Sequence, residues 1–224
     1  KQETLIMSLE TPFLLWADTG AQQHYKKAHL SAADVIRADV PRGPKAERDW
    51  QVSRALLHAG RIRVPAGCVE SLSHSHGSAV VALAPKGWRV GVDIERVRPR
   101  RVLELAEWAC SASEVRLLHG LSGDEQLLYF YLLWTMKEAF IKAAGLSFPV
   151  DLKHYGLDGM SRSLLSLRAP PGAWYAAAYR LQPEWVASVV WQPTVDAVTS
   201  QPQWIEGPAS TLPSLTGLGI WNVR

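Results

Sequence analysis

The segment Gly-Val-Asp-Ile-Glu at residues 91–95 contains the first pair of side chains that suggest chemistry. Its composition predicts a strand, in which Asp93 and Glu95 point to one face and Val92 and Ile94 to the other. Such a pair can simply be the polar, solvent-facing side of a half-buried strand. Two neighbouring carboxylates repel, however, unless a cation lies between them. The pair therefore also predicts a cation site.

A second segment, Trp-Thr-Met-Lys-Glu-Ala-Phe-Ile-Lys at residues 134–142, predicts a helix. Glu138 and Lys142 lie one turn apart on the same side of that helix, where they can form an ion pair. Lys137 points about 100° away from Glu138 and is interpreted as a surface or orienting residue. The apolar members of the segment are expected in the core, and these are Trp134, Phe140 and Ile141.

Together the strand and the helix supply three carboxylates, Asp93, Glu95 and Glu138. If they converge, they form a hard, oxygen-rich site that suits Mg²⁺, with Mn²⁺ left open as the metal used in the cell. Lys142 beside them would neutralise phosphate charge. Glu138 has two open roles, as a metal ligand or as a general base. This set of residues predicts an anionic, phosphorylated ligand.

These motifs resemble those of the 4'-phosphopantetheinyl transferases, specifically the larger, monomeric type that activates nonribosomal peptide and polyketide synthases. Ser-Leu-Ser-His-Ser at 71–75 looks like the Ser-His segment of the family. Ala-Cys-Ser-Ala-Ser-Glu at 109–114 is similar to its FSxxE element. The resemblance covers roughly residues 45–150, with the motifs in the expected order.

The resemblance implies a reaction and roles for the acidic residues. A serine of an acyl, peptidyl or polyketide carrier protein would attack the β-phosphate of coenzyme A, and 3',5'-ADP would leave. Asp93, Glu95 and Glu138 would hold Mg²⁺, while Lys142 would contact coenzyme A and stabilise the leaving phosphate. The implied fold is α+β, with two similar halves related by a pseudo-twofold axis and the active site in the cleft between them.

The resemblance also assigns residues to the nucleotide. Ser73 and His74 would bind the 3'-phosphate of coenzyme A, and Arg54, with Arg48 as a second candidate, would contact the nucleotide. A Gly-Lys-Pro element that many members carry before the Ser-His segment is absent. His74 and His76 also alternate in the manner of two metal ligands, but no third His or Cys follows at a matching spacing.

The bulk properties describe an ordinary globular chain of 224 residues, 47% hydrophobic and 20% charged. A formal net charge of +3 gives no indication of nucleic-acid binding. Cys68 and Cys110 form no CxxC pair. Because the chain shows neither a membrane-spanning run nor a secretory signal, we expect a cytoplasmic protein.

Two surfaces are candidates for docking an acidic carrier protein. One is the basic stretch at 96–101, and the other is the apolar surface of residues 111–121. Two other function classes remain open, a noncatalytic RNA- or partner-binding module and a metal-dependent phosphodiesterase. The first leaves the three carboxylates unexplained, and the second would need another metal cluster or a water-activating histidine.

The pattern of helix and strand signals indicates an α+β fold, with an N-terminal half at 1–87 and a C-terminal half at 88–224. The tail at 192–224 is rich in Pro, Ser, Thr and Gly, and it is expected to be extended or disordered. The predicted helices are one opened by Ser31, 46–59 ended by Gly60, 102–109, 113–120 with a Ser111–Glu114 capping box, and 124–144 ended by Gly145. The predicted strands are 12–16, 78–84, 89–95, 163–168, 173–181 and 184–191, the last two joined across Gln182-Pro183.

Overall fold

The computed structural model describes residues 10–147, 151–159, 165–181, 184–194 and 201–223. Within these residues the α-helices are α1 (Ala32–Ala38), α2 (Pro44–Arg61), α3 (Val102–Ala109), α4 (Ala112–His119) and α5 (Gly123–Ala144). The strands are β1 (Phe13–Ala17), β2 (Val69–Ser75), β3 (Ser78–Ala84), β4 (Arg89–Arg96), β5 (Gly156–Asp158), β6 (Ser166–Arg168), β7 (Tyr175–Leu181), β8 (Trp185–Gln192), β9 (Gln203–Glu206) and β10 (Leu215–Asn222). None of the helices described is long and apolar enough to cross a membrane.

Two four-stranded sheets pack face to face, with one long helix on the outer side of each. The first sheet has the order β2-β3-β1-β9, and the second has the order β10-β7-β8-β4. Side chains such as Trp16 and Val80 meet Val92 and Val189 between the sheets. Helix α2 covers the outer face of the first sheet, and α5 covers that of the second. The predicted α+β class is confirmed.

The two halves repeat one connectivity. In each half a strand is followed by a long helix and then by a hairpin, and the first strand pairs with the last strand of the hairpin. This is β1 with the β2–β3 hairpin in the first half and β4 with the β7–β8 hairpin in the second. The axis that would relate these halves stays a prediction. The turn that joins β3 to β4 contains Gly87, which adopts a φ of 88°.

The C-terminal tail is ordered over its described residues 201–223 and adds one strand to each sheet. Strand β9 runs parallel to β1, and β10 runs antiparallel to β7 with a bulge between Gly217 and Gly219. The tail therefore contributes to both halves. The composition of the tail contains no strand signal. Strands form there because pairing with the open edges of the two sheets supplies the stabilisation that the tail's own sequence lacks.

Most predicted elements are present, including α4 with its Ser111–Glu114 capping box and α5 with Gly145 in a left-handed conformation at its end. One predicted helix end was wrong. Helix α2 continues through Gly60 to Arg61, because Gly60 is buried against Leu83 of β3, where a Cβ atom would come within 2.9 Å of Cδ1. The predicted strand at 163–168 is observed over 166–168, and its first two residues, like the Gln182-Pro183 turn, lie outside the described residues.

Gly91 determines how closely α5 approaches β4. A Cβ atom at this position would lie 1.9 Å from the carbonyl oxygen of Ala139 and 2.5 Å from the backbone nitrogen of Ala143. The two backbones are therefore in direct contact, which only a glycine permits. This contact brings the Glu138 and Lys142 turn of α5 against the strand that carries Asp93.

A buried ion pair fixes the other side of α5. Lys137 is 1% exposed, so the interpretation of Lys137 as a surface residue was wrong. Its Nζ donates to Glu114 Oε2 at 2.9 Å and to the carbonyl of Leu152 at 3.1 Å. Glu114 also forms an ion pair with Arg168 Nη2 at 3.2 Å and accepts a hydrogen bond from the Leu157 backbone nitrogen at 2.9 Å. Removing one partner of a buried pair costs about 3–5 kcal/mol, so this cluster holds α5 in one rotation.

We expect Gly91→Ala to destabilise the protein by about 1–3 kcal/mol, the usual cost of forcing an extra methyl group into a packed interior. Thermal unfolding would show this as a fall in Tm of several degrees. Gly217→Ala is the matched control, because a Cβ at Gly217 of β10 meets no atom within 4 Å. An unchanged Tm for Gly91→Ala would mean that α5 and β4 separate easily.

Candidate active site at the seam between the two sheets

Asp93 contacts two other residues of the predicted site, Lys142 and Ser73. Its Oδ1 atom accepts hydrogen bonds from Lys142 Nζ at 2.8 Å and from Ser73 Oγ at 2.7 Å. Asp93 is only 6% exposed, so it is buried rather than solvent-facing. Its other oxygen, Oδ2, is buried and has no hydrogen-bond partner among the described residues. One half of this carboxylate is thus satisfied by the protein, and the other half is not.

The open edge of β4 is covered by side chains of β2 and α5. Ser71 Oγ accepts from the Val92 backbone nitrogen at 3.0 Å, and Lys142 Nζ donates to the Val92 carbonyl at 3.0 Å. Farther along the strand, Ser75 Oγ donates to Glu95 Oε2 at 3.0 Å. The site therefore lies where the edge of the first sheet meets the edge of the second.

The three carboxylates influence one another. Burial, followed by the charge of Asp93, raises the pKa of Glu95. Burial and the charge of Asp93 also raise the pKa of Glu138, and Lys142 partly opposes this effect. Among the described ion pairs, Lys142 joins Asp93 rather than Glu138. The strand and the helix thus bring the predicted carboxylates together as a mutually repelling group with one lysine.

This group suits a divalent cation that takes only some of its ligands from the protein. No three His, Cys, Asp or Glu side chains in the described part of the chain are grouped closely enough to hold a metal ion by themselves. Mg²⁺, however, binds through one or two carboxylates and fills its shell with water and phosphate oxygens. The unpartnered Oδ2 of Asp93 is a hard oxygen that such an ion would satisfy.

His74 and His76 lie at one end of β2 and have different surroundings. His74 is exposed to solvent, yet the packing around its ring lowers its pKa, with Asp49 partly opposing this. His76 lines a pocket of about 250 Å³ together with Lys45, Arg48 and Arg96. The predicted nucleotide residue Arg48 is therefore part of a basic pocket next to the carboxylates.

Arg54 lies inside the first half. It is 8% exposed, and its Nε donates to Asp34 Oδ1 at 2.9 Å. Its guanidinium also lies 4.0 Å from the ring centroid of Trp50. Burial lowers the pKa of Arg54. These contacts give it a structural role in joining α1 to α2, and its contact with a nucleotide stays a prediction.

Comparison with known proteins identifies the family. A model of the 4'-phosphopantetheinyl transferase superfamily matches residues 89–190. The chain is 36% identical over 139 residues to the 4'-phosphopantetheinyl transferase AcpT of Escherichia coli K12, covering 54% of this chain and 70% of the relative. It is 34% identical over 174 residues to the 4'-phosphopantetheinyl transferase Sfp of Bacillus subtilis 168, covering 74% and 75%. The chain belongs to the 4'-phosphopantetheinyl transferase superfamily.

The match to the transferase superfamily contains only part of the site. It includes β4 and α5, which carry the acidic residues and Lys142, whereas Ser73 and His74 precede it. A holo-(acyl-carrier-protein) synthase from Bacillus anthracis, solved in complex with CoA, aligns with a TM-score of 0.39 and 18% identity, over 46% of this chain and 94% of that one.

Sequence reasoning missed several residues at the contacts of β4 with β2 and α5. Ser71 and Ser75 were not singled out, although serine at every second position from 71 to 75 is a period-two pattern that places all three on one face of a strand. The close contact at Gly91 was also missed. A glycine inside a strand, which often marks close approach of another backbone, was the available signal.

The raised pKa of Glu138 makes its charge unfavourable to folding. Because the folded state holds this proton more tightly than the unfolded state, the cost is present above the raised pKa and disappears as the pH falls below the ordinary value. Without metal, at about pH 8, Glu138→Gln should therefore raise the Tm by about 1–3 °C. This rise corresponds to removing an unfavourable like-charge contact of about 0.3–1 kcal/mol. The gain should vanish near about pH 4.

Thermal unfolding in EDTA across this pH range tests the prediction. Glu107→Gln, at an exposed position of α3, is the control and should leave the Tm unchanged. A Glu138→Gln protein that is less stable than the wild type at every pH would show that the carboxylate is favourably paired.

Proposed function

We propose that this transferase moves the 4'-phosphopantetheine group of coenzyme A onto a serine of an acyl, peptidyl or polyketide carrier protein, with Asp93, Glu95 and Glu138 holding Mg²⁺ either directly or through its bound waters. Family membership supports the transfer. The arrangement around Asp93, whose one oxygen is bound by Lys142 and Ser73 while the other has no partner among the described residues, is the observation that carries the site assignment. Bound Mg²⁺ would neutralise charge on the phosphate oxygens of coenzyme A.

The proposed transfer forms one bond and breaks one. The serine oxygen bonds to the β-phosphorus, and the bond between that phosphorus and the oxygen of the departing 3',5'-ADP breaks. The Lys142 side chain is about one third exposed beside Asp93, so Lys142 would contact a phosphate from its open side and balance the charge of the leaving group.

The proton of the serine hydroxyl needs an acceptor. We assign this role to Glu138, directly or through water, because its side chain is half-buried, lies next to Lys142 in the helix turn and forms no hydrogen bond with other described residues. Its raised pKa brings it closer to the working pH, where a general base is most effective. Service as a metal ligand is compatible with this role.

The nucleotide would lie on the β2 side of the cleft. His74 is exposed there and would donate to the 3'-phosphate in its charged form, because a bound phosphate raises the pKa that packing lowers in the free protein. Ser73 donates its single hydroxyl hydrogen to Asp93 in the free protein, so its proposed contact with the phosphate requires that hydrogen to turn from Asp93 to a phosphate oxygen, which can only accept. Arg48 adds positive charge from the neighbouring pocket.

The carrier protein would dock beside the basic stretch at 96–101. Arg98, Arg100 and Arg101 are exposed, and Trp108 on the following helix is 58% exposed. The other predicted docking surface, at 111–121, is less suitable. Its apolar side chains, such as Leu118, pack into the core of the second half rather than facing solvent.

The transfer itself is tested by incubating an apo carrier protein with coenzyme A, Mg²⁺ and this protein, followed by intact-mass measurement. We expect the wild type to add one phosphopantetheine mass, and Asp93→Asn, which keeps the shape but removes the charge, to reduce transfer to background. Asp39→Asn, at an exposed position after α1, is the control and should react as the wild type. Full activity of Asp93→Asn at limiting Mg²⁺ would overturn the ligand assignment.

His74→Ala should weaken binding of coenzyme A more than it slows the chemical step, because a 3'-phosphate contact lies away from the reacting bond. A hydrogen bond to a charged group contributes about 1.5–3 kcal/mol, so the apparent KM should rise roughly 10- to 100-fold. Steady-state kinetics with dephospho-coenzyme A, which lacks this phosphate, should show a much smaller effect. His24→Ala, at an exposed position, is the control. Equal losses with both substrates would remove His74 from the 3'-phosphate.

A further inference from the structure

Three serines of β2 form one row along the edge of β4. Ser71 accepts from the backbone of Val92, Ser73 donates to Asp93, and Ser75 donates to Glu95. Strands β2 and β4 belong to different sheets, and no ladder pairs them in the described structure. The row thus links the two halves side chain by side chain, and two of its three bonds end on the proposed metal-binding carboxylates.

Ser75 is the member of the row that controls Glu95. Among the described residues, Ser75 donates a hydrogen bond to the Glu95 side chain. This bond engages Oε2 and leaves Oε1 for a ligand. A glutamate side chain has several rotatable bonds, so without this contact its carboxylate would sample many positions. Ser75 is itself buried, which holds its hydroxyl in place.

His76 is the second hydrogen-bond partner of that hydroxyl. Ser75 Oγ lies 3.0 Å from His76 Nδ1, and an ionised Glu95 can only accept. The single hydroxyl hydrogen therefore goes to Glu95, and His76 donates from Nδ1 to Ser75. The result is an ordered chain from the His76 ring through the Ser75 hydroxyl to Glu95.

The turn that holds His76 supports this assignment. His76 and Gly77 have φ values of 49° and 83° and form the two-residue turn between β2 and β3. Asn or Gly is favoured at the first position of such a turn, so a histidine there is not required by the backbone. Asp49 Oδ1 accepts from the Gly77 nitrogen at 2.7 Å and holds the turn in place.

We infer that Ser75 is a positioning residue which, oriented by His76, holds Glu95 in the geometry that binds the divalent cation. This inference rests on the proposed function, since it requires a metal at the carboxylates. Partners of ligating side chains typically contribute about 10- to 100-fold to metal affinity. Ser75→Ala should weaken metal binding by that factor, whereas Ser75→Thr, which keeps the hydroxyl, should restore most of it.

Direct titration of the purified full chain with Mn²⁺, followed by the electron paramagnetic resonance signal of the free ion, measures this affinity without turnover. Ser71→Ala is the matched control, because Ser71 bonds a backbone nitrogen rather than a carboxylate. His76→Asn keeps a residue suited to the turn and should weaken binding less than Ser75→Ala does. In the transfer assay, Ser75→Ala should need more metal for half-maximal rate and should approach the wild-type rate at saturation.

The outcomes separate the positioning role of Ser75 from the proposed metal site. A wild-type Mn²⁺ affinity in Ser75→Ala, with the wild type itself binding, overturns the positioning role alone. Failure of the wild type to bind Mn²⁺ both alone and with coenzyme A present overturns both this role and the proposed metal site. If Ser75→Ala does not fold, the Mn²⁺ affinities of Ser75→Thr and His76→Asn are compared instead. Ser75→Thr should bind Mn²⁺ more tightly than His76→Asn, and equal affinities overturn the inference.

Discussion

The direct contact between the backbones of β4 and α5 at Gly91 is the constraint on which the candidate active site depends. Asp93 and Glu95 come from the strand, and Glu138 and Lys142 come from the helix. A side chain at Gly91 would separate the two elements, because its Cβ would lie 1.9 Å from a carbonyl oxygen of α5. The 2.8 Å ion pair between Lys142 and Asp93 joins the same strand and helix.

The helix is held from two sides by different interactions. Toward the second sheet it is placed by steric contact at Gly91, and on another side it is placed by the buried Lys137–Glu114 pair. Lys137 and Glu138 are sequence neighbours, so any rotation that moved one away from its partners would also move the other. The buried ion pair of Lys137 therefore also fixes the position of the adjacent residue Glu138, the proposed general base.

The features that the sequence predicted well are those with local signals. Helix α4 was recognisable because Ser111 and Glu114 satisfy its first turn, and β4 because apolar and acidic residues alternate along it. The features that it did not predict depend on partners far along the chain. Lys137 is buried because its ammonium group donates to the carbonyl groups of residues 152 and 155 and to the Glu114 carboxylate. The serines of β2 contribute to the candidate site because β4 lies beside them. The local sequence of α5 or of β2 does not indicate which distant residues these side chains will contact.

The parallel pairing of β9 with β1 has a consequence for the order in which the molecule is assembled. Residues that meet there are separated by almost the whole chain, as shown by the Thr11 hydroxyl, which donates to the carbonyl of Gln201 across 190 positions. During synthesis, the free edge of β1 must wait until residues 203–206 have emerged from the ribosome. The first sheet is therefore completed only after strands β4 to β8 have been made. Contacts this distant in sequence slow folding, because a long loop must close before they form.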